Sequence, residues 1–268
     1  MMETRPTAQV ITDAMDPARA TALNAALGRA GTLEPGMDLP PFYHQLYFWQ
    51  ASPPGELGRD GHPRVGGLIP ETGLPRRMWA GGRLVFEAPL RAGIPAERLS
   101  LAESLRHKTG RSGPLAFVTL RHEIRQQGRL CVTEWQDLVY RADPAPGSPP
   151  PAVVAAPRDE TDRRTENFDT TLLFRYSALT FNGHRIHYDE TYARTVEGYD
   201  GLVVHGPLLA QMLMLMAVDL MGPLAGFAFR GSAPLVHTEA AEFCRTGTSL
   251  WVRGTDGRQI MSAEAVPA

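Results

Sequence analysis

Two histidines, His184 and His187, stand three residues apart in the polar stretch FNGHRIHYD, and a third, His205, opens the sequence His205-Gly206-Pro207. An imidazole titrates near neutral pH, so it can take a proton from water and return it to carbon. His187 is a candidate acid/base on that ground, against the plainer reading of a loop histidine with no role. His184 could face a substrate or make a structural hydrogen bond. His205 could touch a substrate or simply anchor the turn. Two close histidines alone do not make a metal site. No HExxH pattern, no clustered cysteines and no third ligand stand nearby in sequence, so no metal is expected.

Something must hold these groups. Pro207 suits the first position of a helix, where no backbone N–H is needed. Residues 208–220 are apolar almost throughout, which predicts a helix buried all round and too short to span a bilayer, since a span needs about 20 residues. The free amide of Gly206, at the positive end of such a helix, could stabilise negative charge on an oxygen. Glycine could equally be present only to permit the turn.

The segments Phe181-Asn182-Gly183-His184-Arg185-Ile186-His187 and Val204-His205-Gly206-Pro207 resemble the active-site segment of the MaoC-like (R-specific) enoyl-CoA hydratases. The wording TFNGHRIHYD, followed by GLVVHGPL, resembles one branch more closely. That branch holds the mesaconyl-C4-CoA and itaconyl-CoA hydratases and the 3-hydroxyacyl-thioester dehydratases. The likeness extends over residues 66–268 and is densest over 174–213. It implies an α+β double hot-dog fold, an antiparallel sheet wrapped round a buried central helix, twice. It also implies a hydro-lyase acting across the α,β bond of an acyl-CoA, of the small branched dicarboxylyl type. His187 matches the family's catalytic histidine. The family's catalytic aspartate falls on Asn182, its asparagine on His184 and its proline on Arg185. An amide cannot exchange a proton at neutral pH but can hold a water. The expected catalytic set is therefore His187 as acid and base, Asn182 holding the water, and the Gly206 amide. His184, Arg185, His205, Arg77 and Arg230 are the expected substrate-binding residues, with Arg76 a further candidate. An arginine there could bind the phosphates of coenzyme A or the free carboxylate of a dicarboxylic acyl group. No cofactor is expected, because water is a reactant and coenzyme A is part of the substrate. Two alternatives stay open, a hot-dog thioesterase using Asp189 or Glu190 and a non-catalytic acyl-thioester-binding subunit.

The bulk properties exclude other classes. A chain of 268 residues with a formal charge of -2 has no basic field for nucleic acid or an anionic membrane. Cys131 and Cys244, the two cysteines, form no metal-spaced cluster and read as buried thiols. No secretory apolar core begins the chain, and a cytoplasmic protein is the default expectation. A homodimer stays open, because a duplicated hot dog can mimic the usual dimer within one chain.

In order, residues 17–29 predict a helix capped by Asp16. The aromatic stretch 41–50 predicts a short element packed on the core, and 51–73 a long loop that borders a site. Strands are predicted from Arg76 and over 99–107, 115–124 and 130–140, with turns at 111–114 and 126–129. Three parts follow: 1–141, a hot-dog half without the catalytic motif; 142–167, a proline-rich linker; and 168–268, the catalytic half. In the last, 227–236, 240–245, 250–253 and 258–265 predict strands, with an Asp256-Gly257 hairpin.

Overall fold

In a computed structural model the protein is described over residues 8–110, 113–143 and 153–268. The first half carries β1 (Ala8–Asp13), α1 (Pro17–Ala26), β2 (Arg76–Phe86), β3 (Ala96–Gly110), β4 (Gly113–Gln126) and β5 (Arg129–Arg141). The second carries β6 (Asp162–Glu166), α2 (Thr170–Leu179), α3 (Glu190–Thr195), α4 (Gly206–Met221), β7 (Leu224–Gly231), β8 (Ala241–Thr246), β9 (Ser249–Gly254) and β10 (Gln259–Pro267). The ten strands form one antiparallel sheet in the order β1-β3-β4-β5-β2-β7-β10-β9-β8-β6. The halves are joined at β2 and β7, from Gly81 opposite Arg230 to Val85 opposite Gly226. Gly81 sits at a bulge in β2, and a Cβ there would press on the Phe229 carbonyl, so only glycine lets the seam close.

β4 alternates buried and less buried positions from Leu115 to Gln126, the period of a strand with one face on the core. α4 is buried from Pro207 to Ala217 except Met212, and then emerges, with Asp219 pairing to Arg29 and Arg164. The expectation of burial on every side fails in that last turn. No side chain caps the N-terminus of α4. A cap is worth about 1 kcal/mol, whereas Leu208, Leu209, Leu213, Met214, Leu215 and Met216, all buried, contribute roughly 1.5–3 kcal/mol each. Packing therefore holds the helix and leaves its first amides uncapped.

The first half has no helix of comparable length among the described residues. Instead the loop over 51–73 covers its inner face, where Val65, Leu68, Ile69 and Leu74 pack on Ala116, Val118, Leu138 and Tyr140. The aromatic stretch behaves as expected, with Phe42, Tyr43, Tyr47 and Phe48 in the main core. Asp16 caps α1 through the Ala18 amide at 2.9 Å. Both cysteines are buried free thiols.

Two sequence expectations are corrected. The segment 142–167 is not linker throughout: residues 144–152 lie outside the described residues, but Asp162–Glu166 is β6, paired to β8 at the sheet edge. Its sequence DRRTE has no apolar alternation to announce a strand, because both its faces stay wet. The strand expected over 227–236 ends at Gly231, since Leu235 and Val236 turn away to hydrogen-bond and bridge to Val204 and Val203. The opening of the second half, TTLLFRYS, is a helix, capped by the Asp169 side chain on the Leu172 amide. Residues 111 and 112 of the first expected turn are outside the described set. No helix among the described residues is long and apolar enough to cross a membrane.

Candidate active site

The loop that carries the candidate catalytic residues follows α2. Asn182 returns its amide to the Ser177 carbonyl at 2.8 Å, and its side-chain oxygen accepts the His184 amide at 3.0 Å. A short 3-10 turn over Arg185–His187 then drives Ile186 and His187 inward, and the Asp189 carboxylate caps α3 on the Tyr192 amide. The loop is pinned to the approach of α4: Val203 donates to the Ile186 carbonyl at 2.9 Å, and His187 Nδ1 lies 2.7 Å from the Val203 carbonyl.

That last contact fixes the chemistry of His187. A carbonyl oxygen only accepts, so Nδ1 carries the proton and Nε2 is left with a bare lone pair. Burial pushes the imidazole down to about 4, and the bond to Val203 only partly offsets this. At neutral pH His187 is therefore an uncharged base. His205 lies flat against it, ring centroids 3.7 Å apart. Its Nε2 meets Ser177 Oγ at 2.8 Å, its Nδ1 has no partner among the described residues, and burial holds it well below the ordinary histidine range. His184 stands edge-on to His187 at 5.3 Å, and burial, with His187 beside it, pushes it down to about 2.

Gly206 opens α4 next to His205. A Cβ there would meet nothing closer than the Trp79 carbonyl at 3.9 Å, so the amide end is uncrowded. Its N–H is one of those at the uncapped helix start. A bare imidazole nitrogen and free helix-terminal amides thus share one site, the pairing needed to deprotonate water and stabilise an oxyanion.

The other expected residues divide. Asn182 spends its oxygen on the turn and keeps its NH2 free of partners among the described residues. Arg185 is committed elsewhere: it pairs with Asp189 at 2.7 Å, bonds the Arg59 carbonyl and lies over the Tyr192 ring. That bond also removes Asp189 as a thioesterase carboxylate, and Glu190 is held on the surface by Arg194. Arg76 is buried on Glu197 at 2.6 Å. Arg230 alternates with Phe229 on β7 and so points away from the face that α4 covers, out of the site. His205 has no solvent exposure and sits under His187 as an anchor. Arg77, half-buried on β2, has no ion pair or hydrogen bond among the described residues and does face the site, where its charge acts on His184.

Sequence reasoning missed Asp60 and His62, in the first half's long loop. The loop docks through Arg185, whose amide donates to the Asp60 carbonyl at 2.8 Å. Gly61 and Gly183 meet there backbone to backbone, and a side chain on either would strike the other's carbonyl. His62 comes to rest 4.7 Å from the His184 ring. Asp60, His62 and His184 offer ligand atoms within 4.8 Å of one another, the one such group of three found among the described residues. Two of the three, Asp60 and His62, are thus supplied from the other half, and His187 is not in the group. The Asp-Gly-His wording inside a loop expected to border a site was the available signal.

Comparison with known proteins places the chain in a family. The family described as hydroxyacyl-thioester dehydratase type 2 matches residues 42–237. The mesaconyl-C(4)-CoA hydratase of Chloroflexus aurantiacus is 49% identical over 253 residues, covering 90% of each chain. The mitochondrial hydroxyacyl-thioester dehydratase type 2 of Schizosaccharomyces pombe is 28% identical over 248 residues, 80% of each. A Mycobacterium tuberculosis protein of double hot-dog fold superposes with a TM-score of 0.59 at 14% identity, over 97% of this chain and 95% of that one. The chain is a member of the MaoC-like, hydroxyacyl-thioester dehydratase type 2 family, with its double hot-dog fold.

Proposed function

We propose that the protein adds and removes water across the α,β bond of an acyl-CoA thioester of the mesaconyl-C4 type, with His187 as the acid/base. The hydro-lyase class follows from the family and from 49% identity to a hydratase bearing that substrate's name. The observation that carries the role of His187 is its Nδ1 bond to the Val203 carbonyl, which leaves Nε2 bare and neutral.

In the hydration direction, Nε2 takes a proton from water as the hydroxide oxygen bonds to the β-carbon. The α,β π-electrons move toward the thioester, whose oxygen gains charge beside the Gly206 amide. The imidazolium then returns its proton to the α-carbon and the carbonyl re-forms. The free NH2 of Asn182 orients the water. Dehydration is the reverse. The second half, 168–268, supplies base and amide, and the first half supplies a wall of the site through its long loop.

Incubation with mesaconyl-C4-CoA tests this. Enoyl absorbance is expected to fall without release of free thiol. Thiol release would favour a thioesterase, and binding without either change a non-catalytic subunit.

A further inference from the structure

We infer that the first half builds a binding site for the substrate's free carboxylate at the far end of the histidine row, from Arg77, Tyr140, His62 and His184. This rests on the reading of the protein as a hydratase of a dicarboxylyl thioester, and it names how that class is recognised.

The row runs from the α4 N-terminus outward. His187 follows His205 at 3.7 Å, His184 follows at 5.3 Å, and His62 at 4.7 Å. In a mesaconyl C4 thioester the second carboxylate is borne by the β-carbon, and the two carboxyl carbons lie about 4 Å apart by ordinary bond lengths. With the thioester oxygen at the Gly206 amide and the β-carbon at His187, that carboxylate falls toward His184 and His62.

The groups waiting there are donors without partners. Arg76, one residue away, is doubly bonded to Glu197, yet the Arg77 guanidinium has no protein partner among the described residues. Arg77 and Tyr140 are direct neighbours in the register of β2 and β5, so their side chains share a face. The Tyr140 hydroxyl is buried with no hydrogen bond among the described residues, and it feels the charges of Arg77 and Asp60. An orphaned buried hydroxyl is costly unless a ligand satisfies it. Neither ring of His62 or His184 hydrogen-bonds to the protein among the described residues.

Asp60 is the acidic group at this end, and its carboxyl accepts the His62 amide at 3.0 Å. Asp60, His62 and His184 by themselves would suit a cation. Arg77 decides against it, because its fixed positive charge bears on all three groups. The guanidinium offsets the Asp60 charge, and the remaining phenol and imidazole groups donate to an incoming carboxylate, with Arg77 able to do so in bidentate fashion.

Binding of unreactive thioesters tests the site without turnover. Succinyl-CoA and butyryl-CoA differ at the distal carboxylate, and titration calorimetry compares them. The wild-type protein is expected to bind succinyl-CoA at least about tenfold tighter, and Arg77→Met and His62→Ala to collapse that ratio by about tenfold or more. Arg77→Lys, which keeps the charge and loses the fork, should fall between, and thermal melts verify that each variant is folded. No wild-type preference, or an unchanged ratio in both Arg77→Met and His62→Ala, overturns the site. One equivalent of zinc bound by the wild type, displacing succinyl-CoA and lost in His62→Ala, overturns it in favour of a cation. If the succinyl preference holds while mesaconyl-C4-CoA is not hydrated, the hydratase reading fails and the carboxylate site stands.

Discussion

The rings of His187 and His205 lie face to face, 3.7 Å apart and 21° from parallel. They have different duties. His205, on Ser177 and sealed from solvent, is a flat support. His187, tethered through Nδ1, keeps its other ring nitrogen free of hydrogen bonds among the described residues. Two imidazoliums stacked this closely would repel, so the packing favours neutral rings and a base ready for water.

Neutral buried histidines make the fold sensitive to acid. Burial pushes His187 and His122 down to about 4 and His184 down to about 2, from 6.5. Below about pH 6.5 the unfolded chain therefore binds more protons than the folded one, so stability is present above that pH and drains as pH falls. Thermal melts should be level above about pH 7 and decline steadily from about pH 6.5 to 4. His122→Gln, on β4 and bonded to Ser100, should flatten the decline. A melting temperature constant down to about pH 5 would contradict these protonation states.

The proposed mechanism gives Asn182 two functions that substitutions can separate. Its oxygen closes the turn on the His184 amide, and its NH2 faces no protein partner. Asn182→Asp keeps the acceptor and should melt like the wild type, within about 1 kcal/mol, while turnover drops about tenfold or more because the donor to water is gone. Asn182→Ala should lose both stability and turnover. Equal turnover in all three proteins would remove Asn182 from the mechanism.

Gly206 tests the helix-terminal amide. A methyl group fits beside the Trp79 carbonyl without strain, and alanine favours helix over glycine by up to about 1 kcal/mol. Gly206→Ala should hold or raise the melting temperature. The same methyl occupies the space over the amide, so kcat/KM should fall by about tenfold or more. Unaltered kinetics would place the thioester oxygen elsewhere.

The docking of the two loops hangs on Gly61, whose φ is +88° and whose missing side chain admits the Gly183 carbonyl. Gly61→Ala should cost about 1–3 kcal/mol from the backbone alone. It should raise KM more than it lowers stability, since it displaces His62. Wild-type KM in a folded Gly61→Ala protein would mean the first-half loop does not wall the site.

Most of the second half was legible in the sequence because its signals are local. His187, Gly206 and the apolar run after Pro207 lie close together along the chain. The strands β4 and β5 showed themselves through their length and the turn residues that bound them. The failures involve partners far apart in sequence. Arg185 looked free until Asp189 and Arg59 closed on it, and Arg230 looked available until β7 turned it outward. Asp60 and His62 reach the site only because two glycines let distant loops touch, and no period or spacing reports such a contact.

The central claim is that one imidazole carries the proton. Hydration of mesaconyl-C4-CoA by wild-type protein and by His187→Gln, with thermal melts of both, measures it most directly. The wild type should consume the enoyl absorbance with no free thiol, and the variant should melt normally yet turn over about 10²–10⁴-fold more slowly. A folded His187→Gln protein hydrating the thioester within about threefold of the wild-type rate would contradict it.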